Sequence, residues 1–430
     1  MITTPKGLRL HIGVFGRTNV GKSSFINLVT GQEVSIVSDI PGTTTDVVEK
    51  AMEILPIGPV LFLDTAGIDD ETLLGKERVR KAFEVLRRCD VALLMLEPNV
   101  FTEFESSLIK LFEEKKIPCV VVINKIDVQK PEKEFLKNFE EKKIPVIEIC
   151  ALKDKREDIL AKLKTALLKV VPEEFLREPQ LIGDLVPPGG IAVLVVPIDL
   201  EAPKGRLILP QVQTIRNVLD SDATAIVVKE RELPYLLSVL NRKPDVIVCD
   251  SQVVLKVAGD VPQGVKFTTF SILFSRYKGD IVEFAKGLHA LKNLKEGAKV
   301  LIAEACTHHP IEDDIGRVKI PRWIRQYTGL KDISFSFHSG RSYPEDLSEY
   351  DLVVHCGACT LNRREMLSRI ELAKSKNVPI TNYGMCISLV QGVIEKVLGP
   401  FPAALLAFRN QFGRKKYDYR NRRSCKILDA

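Results

Sequence analysis

The fold of the first third of the chain is indicated most strongly by one stretch, Leu8-Arg-Leu-His-Ile-Gly-Val-Phe15-Gly16-Arg-Thr-Asn-Val-Gly21-Lys22-Ser23-Ser24. Its apolar first half predicts a strand, its glycine-rich middle predicts a tight loop, and the residues beyond it predict a helix that ends near Gly31. A strand, the pattern G-x-x-x-x-G-K-S and a helix, in this order, are the context that a phosphate-binding loop requires. The stretch therefore predicts a nucleotide-binding α/β domain.

The residue types in this loop predict separate roles in binding phosphate. Glycines such as Gly21 let backbone N–H groups close around the phosphates, and the helix that begins near Ser24 adds partial positive charge at its N-terminus. The ammonium group of Lys22 is expected to reach the β- and γ-phosphates. The hydroxyl of Ser23 is expected to ligate Mg²⁺.

Two further segments complete the predicted phosphate site. A second apolar strand ends at Asp64, which would hold Mg²⁺ through water, and the amide of Gly67 would sense the γ-phosphate. In the segment Pro41-Gly-Thr-Thr-Thr-Asp46, Thr44 is expected to complete the magnesium shell. Lys22, Ser23, Thr44, Asp64 and Gly67 are therefore the predicted catalytic set.

The predicted base pocket follows two later strands. In Asn124-Lys125-Ile-Asp127, the Asp127 carboxylate can accept the two hydrogens of the guanine N1 and N2 edge, which adenine does not offer. Cys150 and Ala151 fit the loop that gives a backbone N–H to guanine O6. The predicted nucleotide is therefore GTP.

Gly16–Ser24 together with Pro41–Asp46 resembles the TrmE/Era-like GTPases, over roughly residues 8–170. The resemblance implies that Asn19 helps to coordinate K⁺ beside the phosphates. Ile68 follows Gly67, where Ras-type enzymes often carry a glutamine that orients the attacking water. We therefore expect slow GTP hydrolysis that K⁺ stimulates.

Composition and charge limit the remaining possibilities. The chain has 430 residues, a length typical of about three domains, and the net charge of +6 arises between Arg409 and Ala430, with eight Lys/Arg against two Asp/Glu. The residues before Arg409 therefore carry no excess positive charge that could bind the phosphate backbone of a nucleic acid. The basic tail is expected either to pack on a partner subunit or to touch RNA. No run is long and apolar enough to span a membrane, and cysteines within apolar runs indicate a reduced, cytoplasmic protein.

Alternating strand and helix patterns predict an α/β chain of three domains with parallel sheets. Residues 1–172 would form the P-loop GTPase domain. Residues 180–263 would form a small α/β dimerisation domain, for which a rigid spacer within a monomer is the alternative. Residues 267–430 would form a second parallel α/β domain that carries the cysteine set and the basic tail.

The cysteine set lies at the ends of two apolar runs. One run ends at Cys306 and the other at Cys356, which is followed by Cys359, so parallel strands would bring all three to neighbouring loops of one sheet edge. Three thiolates suit a 4Fe-4S cluster in which one iron has no thiolate ligand, and a Cys3His zinc site is the alternative. Cys386 is expected to be a core residue, and a role as fourth ligand or as support for the ligands is the alternative. The fourth position would be filled by an exogenous ligand or by one of three protein groups: Glu304, His308 and His355.

A TrmE/Era-like GTPase followed by Cys306-x-His308 and His355-Cys356-x-x-Cys359 resembles the FeFe-hydrogenase maturation GTPases over nearly the whole chain. The resemblance implies a homodimeric scaffold that binds a 4Fe-4S cluster through Cys306, Cys356 and Cys359. It also implies that a transient two-iron cluster is assembled or carried there and delivered to apo-FeFe-hydrogenase, with radical-SAM maturases as further partners. The alternative is a TrmE/Era-like GTPase that acts on RNA through its basic tail.

Overall fold

The computed structural model describes residues 4–31, 48–65, 83–172, 181–197, 207–305, 314–340 and 342–412. The chain divides into two units. The first comprises Met1–Pro179 and Cys359–Arg369, and the second comprises Gln180–Ala358 and Ile370–Ala430.

The described residues of the first unit contain a six-stranded sheet. Its strands are β1 (Leu10–Gly16), β2 (Val48–Ile54), β3 (Gly58–Asp64), β4 (Val91–Leu96), β5 (Cys119–Ile123) and β6 (Val146–Glu148). They are arranged in the order β2-β3-β1-β4-β5-β6, with β2 antiparallel to β3 and the other neighbours parallel. Because β1 lies beside β3 and β4, the loop that follows β1 starts at the middle of the sheet's carboxyl edge.

Helices cover both faces of this sheet. They are α1 (Lys22–Thr30), α2 (Glu103–Glu114), α3 (Lys133–Glu140) and α4 (Arg156–Leu167), and residues 83–88 are also helical, which we call helix 83–88. Every residue of β1 and β4 is buried, as expected for parallel strands packed on two sides. Side chains of α1 and α4 belong to one apolar cluster, and those of α2 and α3 belong to the other. The phosphate-loop segment therefore begins on a rigid, doubly covered strand.

The second unit contains two further sheets, and the first of them is parallel throughout. Its strands are β7 (Ile191–Val195), β8 (Thr224–Val228), β9 (Val246–Cys249) and β10 (Lys266–Thr269), in the order β10-β9-β7-β8. The helices α5 (Leu209–Asp220), α6 (Leu233–Val239) and α7 (Val254–Asp260) connect them. The predicted start of the third domain at Phe267 differs from this topology, because β10 pairs with β9. A strand of four residues is too short for its periodicity to be recognised in the sequence.

The other sheet of the second unit carries the cysteine motif. Its strands are β11 (Ala298–Glu304), β12 (Ile333–Ser339), β13 (Leu352–His355) and β14 (Ile380–Asn382), all parallel in the order β12-β11-β13-β14. The predicted pairing of the two cysteine-bearing strands as parallel neighbours is confirmed, because Val300–Ala303 of β11 align with Leu352–His355 of β13. The α/β class with parallel sheets is likewise confirmed.

Seven α-helices within the described residues lie between Phe270 and Phe412. They are α8 (Phe270–Lys278), α9 (Ile281–Asn293), α10 (Ile320–Thr328), α11 (Arg363–Ser375), α12 (Tyr383–Val390), α13 (Ile394–Leu398) and α14 (Pro402–Phe412). Helix α9 packs very closely on β14, since a Cβ atom added at Gly287 would lie 1.9 Å from the carbonyl oxygen of Ile380. Among the described residues, no helix has both the length and the apolar character needed to cross a membrane.

Candidate functional site

The loop after β1 takes the backbone form that a phosphate cradle needs. Gly16, Asn19 and Gly21 have positive φ angles of 146°, 63° and 98°. A Cβ atom at Gly21 would lie 2.3 Å from Asn124 Nδ2, and one at Gly16 would lie 2.5 Å from the Met95 carbonyl oxygen. Both glycines are therefore required by close neighbours as well as by their backbone conformation.

The ammonium group of Lys22 is held within this loop. Lys22 is only 7% exposed, and its Nζ donates to the carbonyl oxygens of Gly16 at 3.0 Å and Arg17 at 2.7 Å. Burial of a lysine is tolerated only when its charge has acceptors, so the loop carbonyls hold the cation in place. The positive charge is thus already located among the amides that would surround a phosphate.

Two of the three predicted magnesium ligands, Ser23 and Asp64, meet directly. Ser23 Oγ donates to Asp64 Oδ2 at 2.7 Å, because Asp64 ends β3 beside the β1 loop. The other oxygen, Oδ1, is buried and has no hydrogen-bond partner in the described residues. Burial raises the pKa of Asp64, an effect that Ser23, Lys22 and Lys50 oppose. An unsatisfied buried carboxylate oxygen beside a hydroxyl fits a hard divalent cation such as Mg²⁺.

The remaining predicted phosphate ligands, Thr44 and Gly67, lie outside the described residues, as does Ile68. Asn19, the predicted K⁺ ligand, is exposed at the tip of the loop. Ser24 is exposed in the first turn of α1.

Lys50 is a buried cation near this site that the sequence analysis did not identify. It lies on β2, is 4% exposed, and donates through Nζ to Asn27 Oδ1 on α1. Burial lowers the pKa of Lys50, and the nearby charge of Asp64 opposes that effect. On β2, Lys50 is buried between two less buried neighbours. The residue pattern of this strand is too weak a signal to identify that position from sequence alone.

Arg17, within the phosphate loop, is tied to α2. Its Nε donates to Glu105 Oε1 at 2.6 Å, its Nη2 donates to Thr102 Oγ1 at 2.7 Å, and its guanidinium lies 5.1 Å from the Phe104 ring centroid. Thr102 and Glu105 also form the capping box that starts α2. The arginine therefore fixes the loop to the sheet's covering helix, which no local pattern predicted.

Asn124 connects the phosphate loop to the predicted base loop. Its Nδ2 donates to the Val20 carbonyl oxygen, and its Oδ1 accepts the Ala151 amide, each at 2.9 Å. The Cys150 amide donates to Asp154 Oδ2, also at 2.9 Å. The predicted guanine-binding amides of Cys150 and Ala151 thus have acceptors within the protein, and Asn124 fixes the spacing between the two loops.

The predicted specificity residue Asp127 lies at the surface beside this loop. Its carboxylate forms an ion pair with Lys153 at 2.8 Å, and this bond holds the pKa of Asp127 below its usual value. Lys125, in the left-handed region with φ 64°, is paired with Glu97. An ionised, exposed carboxylate is the acceptor that the guanine edge requires.

In the second unit, the Cys356 sulfur is held by backbone amides. The Cys356 amide donates to the Ala303 carbonyl oxygen at 2.9 Å, which fixes the residue beside the end of β11. Its Sγ accepts the Ala305 amide at 3.1 Å and the Ala358 amide at 3.5 Å, and Ala358 takes a positive φ of 54°. Amide donors directed at a sulfur stabilise its thiolate form, which is the form that ligates metals.

Two predicted supporting groups lie next to this sulfur loop. His355 is fully buried, and its Nδ1 lies 2.9 Å from the Cys356 carbonyl oxygen. Glu304, at the end of β11, is 3% exposed and forms an ion pair with Arg317 at 3.4 Å. Both groups therefore have protein contacts that stabilise the loop region.

The rest of the predicted metal set is only partly placed. Cys306 and His308 lie outside the described residues, and Cys359 is half-buried in the segment assigned to the first unit. Among the residues that the structure does describe, no three His, Cys, Asp or Glu side chains form a group able to hold a metal ion. Cys386 is buried in α12 and burial raises its pKa to about 12, as expected for a core thiol.

The fold and the phosphate loop define a P-loop GTPase domain joined to two smaller α/β modules. The family model described as 50S ribosome-binding GTPase matches residues 11–125. The Hydrogen maturase F dimerization domain matches residues 181–279, and the Hydrogen maturase F tetramerization domain matches residues 282–400; together these two cover half of the chain. The chain belongs to the hydrogen maturase F family.

Curated relatives match the GTPase part. The tRNA modification GTPase MnmE of Coxiella burnetii is 39% identical over 142 residues, which are 31% of this chain and 31% of that protein. GTPase Der of Nitratiruptor sp. is 36% identical over 129 residues, which are 29% of this chain and 28% of that protein. The chain thus spans about a third of the length of these relatives. The solved structure of Aquifex aeolicus Era bound to GDP.AlF4- has 23% identity and a TM-score of 0.33, with coverage of 54% of this chain and 98% of that one.

Proposed function

We propose that this protein is a GTP-hydrolysing scaffold that binds a 4Fe-4S cluster and assembles or delivers the two-iron precursor of the FeFe-hydrogenase active site. The observation that carries the proposal is the Cys356 loop, whose sulfur accepts two backbone amides at the strand edge of a hydrogen maturase F module. A thiol used only for packing does not need two N–H donors. The proposal assigns this sulfur to iron.

The cluster ligands in this proposal are Cys306, Cys356 and Cys359. Three thiolates leave one iron with a coordination position that a guest group can occupy or bridge. The chain's own residues orient the sulfur of Cys356 and exclude water behind it, because His355 and Glu304 are both buried. His308, His355 and Glu304 are the protein groups from which a fourth ligand would come.

GTP hydrolysis in this proposal follows from the phosphate site. Lys22 is held where the β- and γ-phosphates would lie, and Ser23 with Asp64 provides the oxygen ligands for Mg²⁺. Asn19 is the proposed K⁺ ligand, a role implied by the resemblance to TrmE/Era-like GTPases, and its side chain is exposed. Monovalent-cation charge would then replace an arginine finger, and hydrolysis without K⁺ would be slow.

The sheet formed by β7–β10 supports a homodimer as the functional state. Strand β8 is one of the two edge strands of the sheet β10-β9-β7-β8, and Val227 on β8 is 43% exposed. On neighbouring α5, Val212 and Leu219 are exposed by 47% and 53%. An apolar strand edge flanked by apolar helix positions is a typical site for pairing with a second chain. The partner we propose is another copy of this protein.

Delivery is tested by activation of apo-FeFe-hydrogenase. The anaerobically reconstituted protein, loaded with a two-iron cluster, should activate apo-hydrogenase, and Cys356→Ala should not. Cys386→Ala removes a thiol buried in α12 and is the matched control that should still activate. Equal activation by both variants would contradict the proposal.

The role of the nucleotide in this proposal is to bias partner affinity through loop order. The affinity for apo-hydrogenase, and for each radical-SAM maturase, should differ between the GTP and GDP states. Equal affinities in the two states would remove this part of the proposal while leaving the scaffold role intact.

The alternative, an RNA-associated GTPase, receives its support from the names of relatives that match only the GTPase part. Because those matches leave the two hydrogen maturase F modules unexplained, we favour the scaffold. RNA binding that weakens steeply with salt, and that is lost on removal of residues 409–430, would favour the alternative.

A further inference from the structure

A short segment directly after the cysteine motif belongs structurally to the GTPase unit. Residues Cys359–Arg369, which we call the docked segment, group with Met1–Pro179, although the chain on both sides of it belongs to the second unit. The docked segment contains Cys359, a proposed cluster ligand, and the first residues of α11. The last cysteine of the motif is therefore part of the same unit as the nucleotide-binding loop.

Asn362 anchors the docked segment through a buried side chain. It is 1% exposed, and its Nδ2 donates to the Arg88 carbonyl oxygen at 2.7 Å and to Asp90 Oδ2 at 3.2 Å. Its Oδ1 accepts the Glu365 amide at 3.0 Å in the first turn of α11. The same Asp90 oxygen accepts the His11 amide at 2.8 Å. One side chain thus connects α11 to helix 83–88 and to the start of β1.

Backbone contact fixes the docked segment next to this anchor. A Cβ atom added at Gly7 would lie 2.5 Å from the Leu361 carbonyl oxygen and 3.1 Å from the Thr360 carbonyl carbon. Two backbones approach this closely only where one of them has no side chain. The docked segment therefore has no room to shift without moving the chain beneath it.

Arg88 extends the connection toward the phosphate site. While its carbonyl accepts Asn362, its Nη1 donates to Glu49 Oε1 on β2 at 2.7 Å. Burial would raise the pKa of Glu49, but the bonds from Lys6 and Arg88 prevail and lower it to about 2. The next residue on β2 is Lys50, whose charge acts on Asp64. From Asn362 to Glu49 the connection runs through hydrogen bonds of the Arg88 carbonyl and guanidinium, and from Lys50 to Asp64 it is electrostatic.

We propose that Asn362 is a positioning residue that couples the nucleotide state to the placement of Cys359. A nucleotide-dependent displacement of β2 or helix 83–88 moves the Arg88 carbonyl, and Asn362 transmits that movement to chain three residues from Cys359. The inference rests on the proposed function for its cluster, since Cys359 is a ligand only in that proposal. The contacts of Asn362 themselves form without a cluster, so they can be tested in the apo protein.

The first test measures amide hydrogen exchange of the docked segment in the full-length apo protein. With a non-hydrolysable GTP analogue, exchange of peptides from residues 359–369 should differ about fivefold from the GDP state, the lower end of ordinary site-to-site coupling. Asn362→Ser keeps an acceptor for the Glu365 amide and loses the reach to Arg88, so the difference should vanish. Arg364 also lies in the docked segment, and Arg364→Ala removes its hydrogen bond to the Lys115 carbonyl oxygen. This control variant should keep the nucleotide-dependent difference in exchange.

A second variant approaches from the opposite side of the contact. Gly7→Ala places a methyl group against the Leu361 carbonyl and should also abolish the nucleotide-dependent difference, even if Asn362→Ser folds poorly. No difference in the wild type, or a full difference in Asn362→Ser and Gly7→Ala, would overturn the inference.

The cluster-loaded protein separates this inference from the proposed function. Because coupling is reciprocal, loading the cluster should change the affinity for a fluorescent GTP analogue about fivefold in the wild type and leave it unchanged in Asn362→Ser. A wild-type chain that binds no iron would defeat the proposed function. A wild type that binds iron but shows the same nucleotide affinity loaded and unloaded would defeat the coupling alone.

Discussion

The phosphate site and the cysteine site are both built at the carboxyl ends of parallel strands, but they are assembled in different ways. Nine consecutive residues, Gly16–Ser24, form most of the phosphate site, where Lys22 donates to the Gly16 carbonyl within the loop and Ser23 donates to Asp64. The cysteine site depends on two strands about fifty residues apart in sequence, and the sulfur of Cys356 is held by amides of Ala305 and Ala358. The local motif supplies much of its site from one continuous segment, whereas the dispersed one depends on correct pairing of β11 with β13.

The largest expected effect concerns the phosphate site. Lys22→Ala removes the cation that the loop carbonyls hold, so kcat for GTP hydrolysis should fall by about 10²–10³-fold. Lys110→Ala, on the exposed side of α2, is the matched control and should leave the rate unchanged. Steady-state phosphate release measures both variants, and equal rates would show that Lys22 does not act on phosphate.

The next effect tests whether the phosphate and base loops depend on one side chain. Asn124→Ala leaves the Ala151 amide and the Val20 carbonyl without their partner, which should cost about 1–3 kcal/mol in GTP affinity. Asn138→Ala, at an exposed position of α3, is the control and should not change the affinity. Calorimetric titration with GTP measures the affinity of both variants. Unchanged affinity in Asn124→Ala would mean that the two loops hold their spacing independently.

The smallest effect concerns the base of β1, away from the nucleotide. Burial lowers the pKa of His11 to about 4 from the ordinary value of 6.5. The unfolded chain therefore takes up a proton between pH 6.5 and 4 while the folded chain does not, so the stability present above pH 6.5 is lost as the pH falls through this window.

From pH 7 to 5 this loss should amount to about 1–2 kcal/mol. His11→Gln remains neutral across the window, so its melting temperature should fall less than that of the wild type between pH 7 and 5. An equal fall in both proteins would show that His11 is protonated in the folded state.

Local sequence patterns predicted much of the phosphate site and the strand framework of the cysteine site. The G-x-x-x-x-G-K-S pattern places Lys22 and Ser23 because one strand, one loop and one helix suffice to position them. Apolar runs that end at Cys306 and Cys356 predicted that β11 and β13 would be neighbours, which the register confirms.

Side-chain contacts between distant segments outside these motifs were not predicted. Lys50 and Arg17 acquire their partners from α1 and α2, and Asn362 acquires its partners from helix 83–88, far away in sequence. The assignment of β10 to the β9 sheet was missed for a related reason, since pairing rather than composition determines which sheet a short strand joins. Polar side chains in ordinary patterns carry no local signal for such long-range bonds.

In the proposed scaffold, the Cys356 sulfur binds iron in a cluster with an open position. Anaerobic iron and sulfide analysis, combined with electron paramagnetic resonance of the reduced protein, tests it most directly in the wild type, Cys356→Ala and Cys386→Ala. We expect iron and sulfide in equal amounts with a 4Fe-4S signal in the wild type and in Cys386→Ala, and loss of both in Cys356→Ala. Zinc without sulfide in the wild type, or a full cluster in Cys356→Ala, would contradict it.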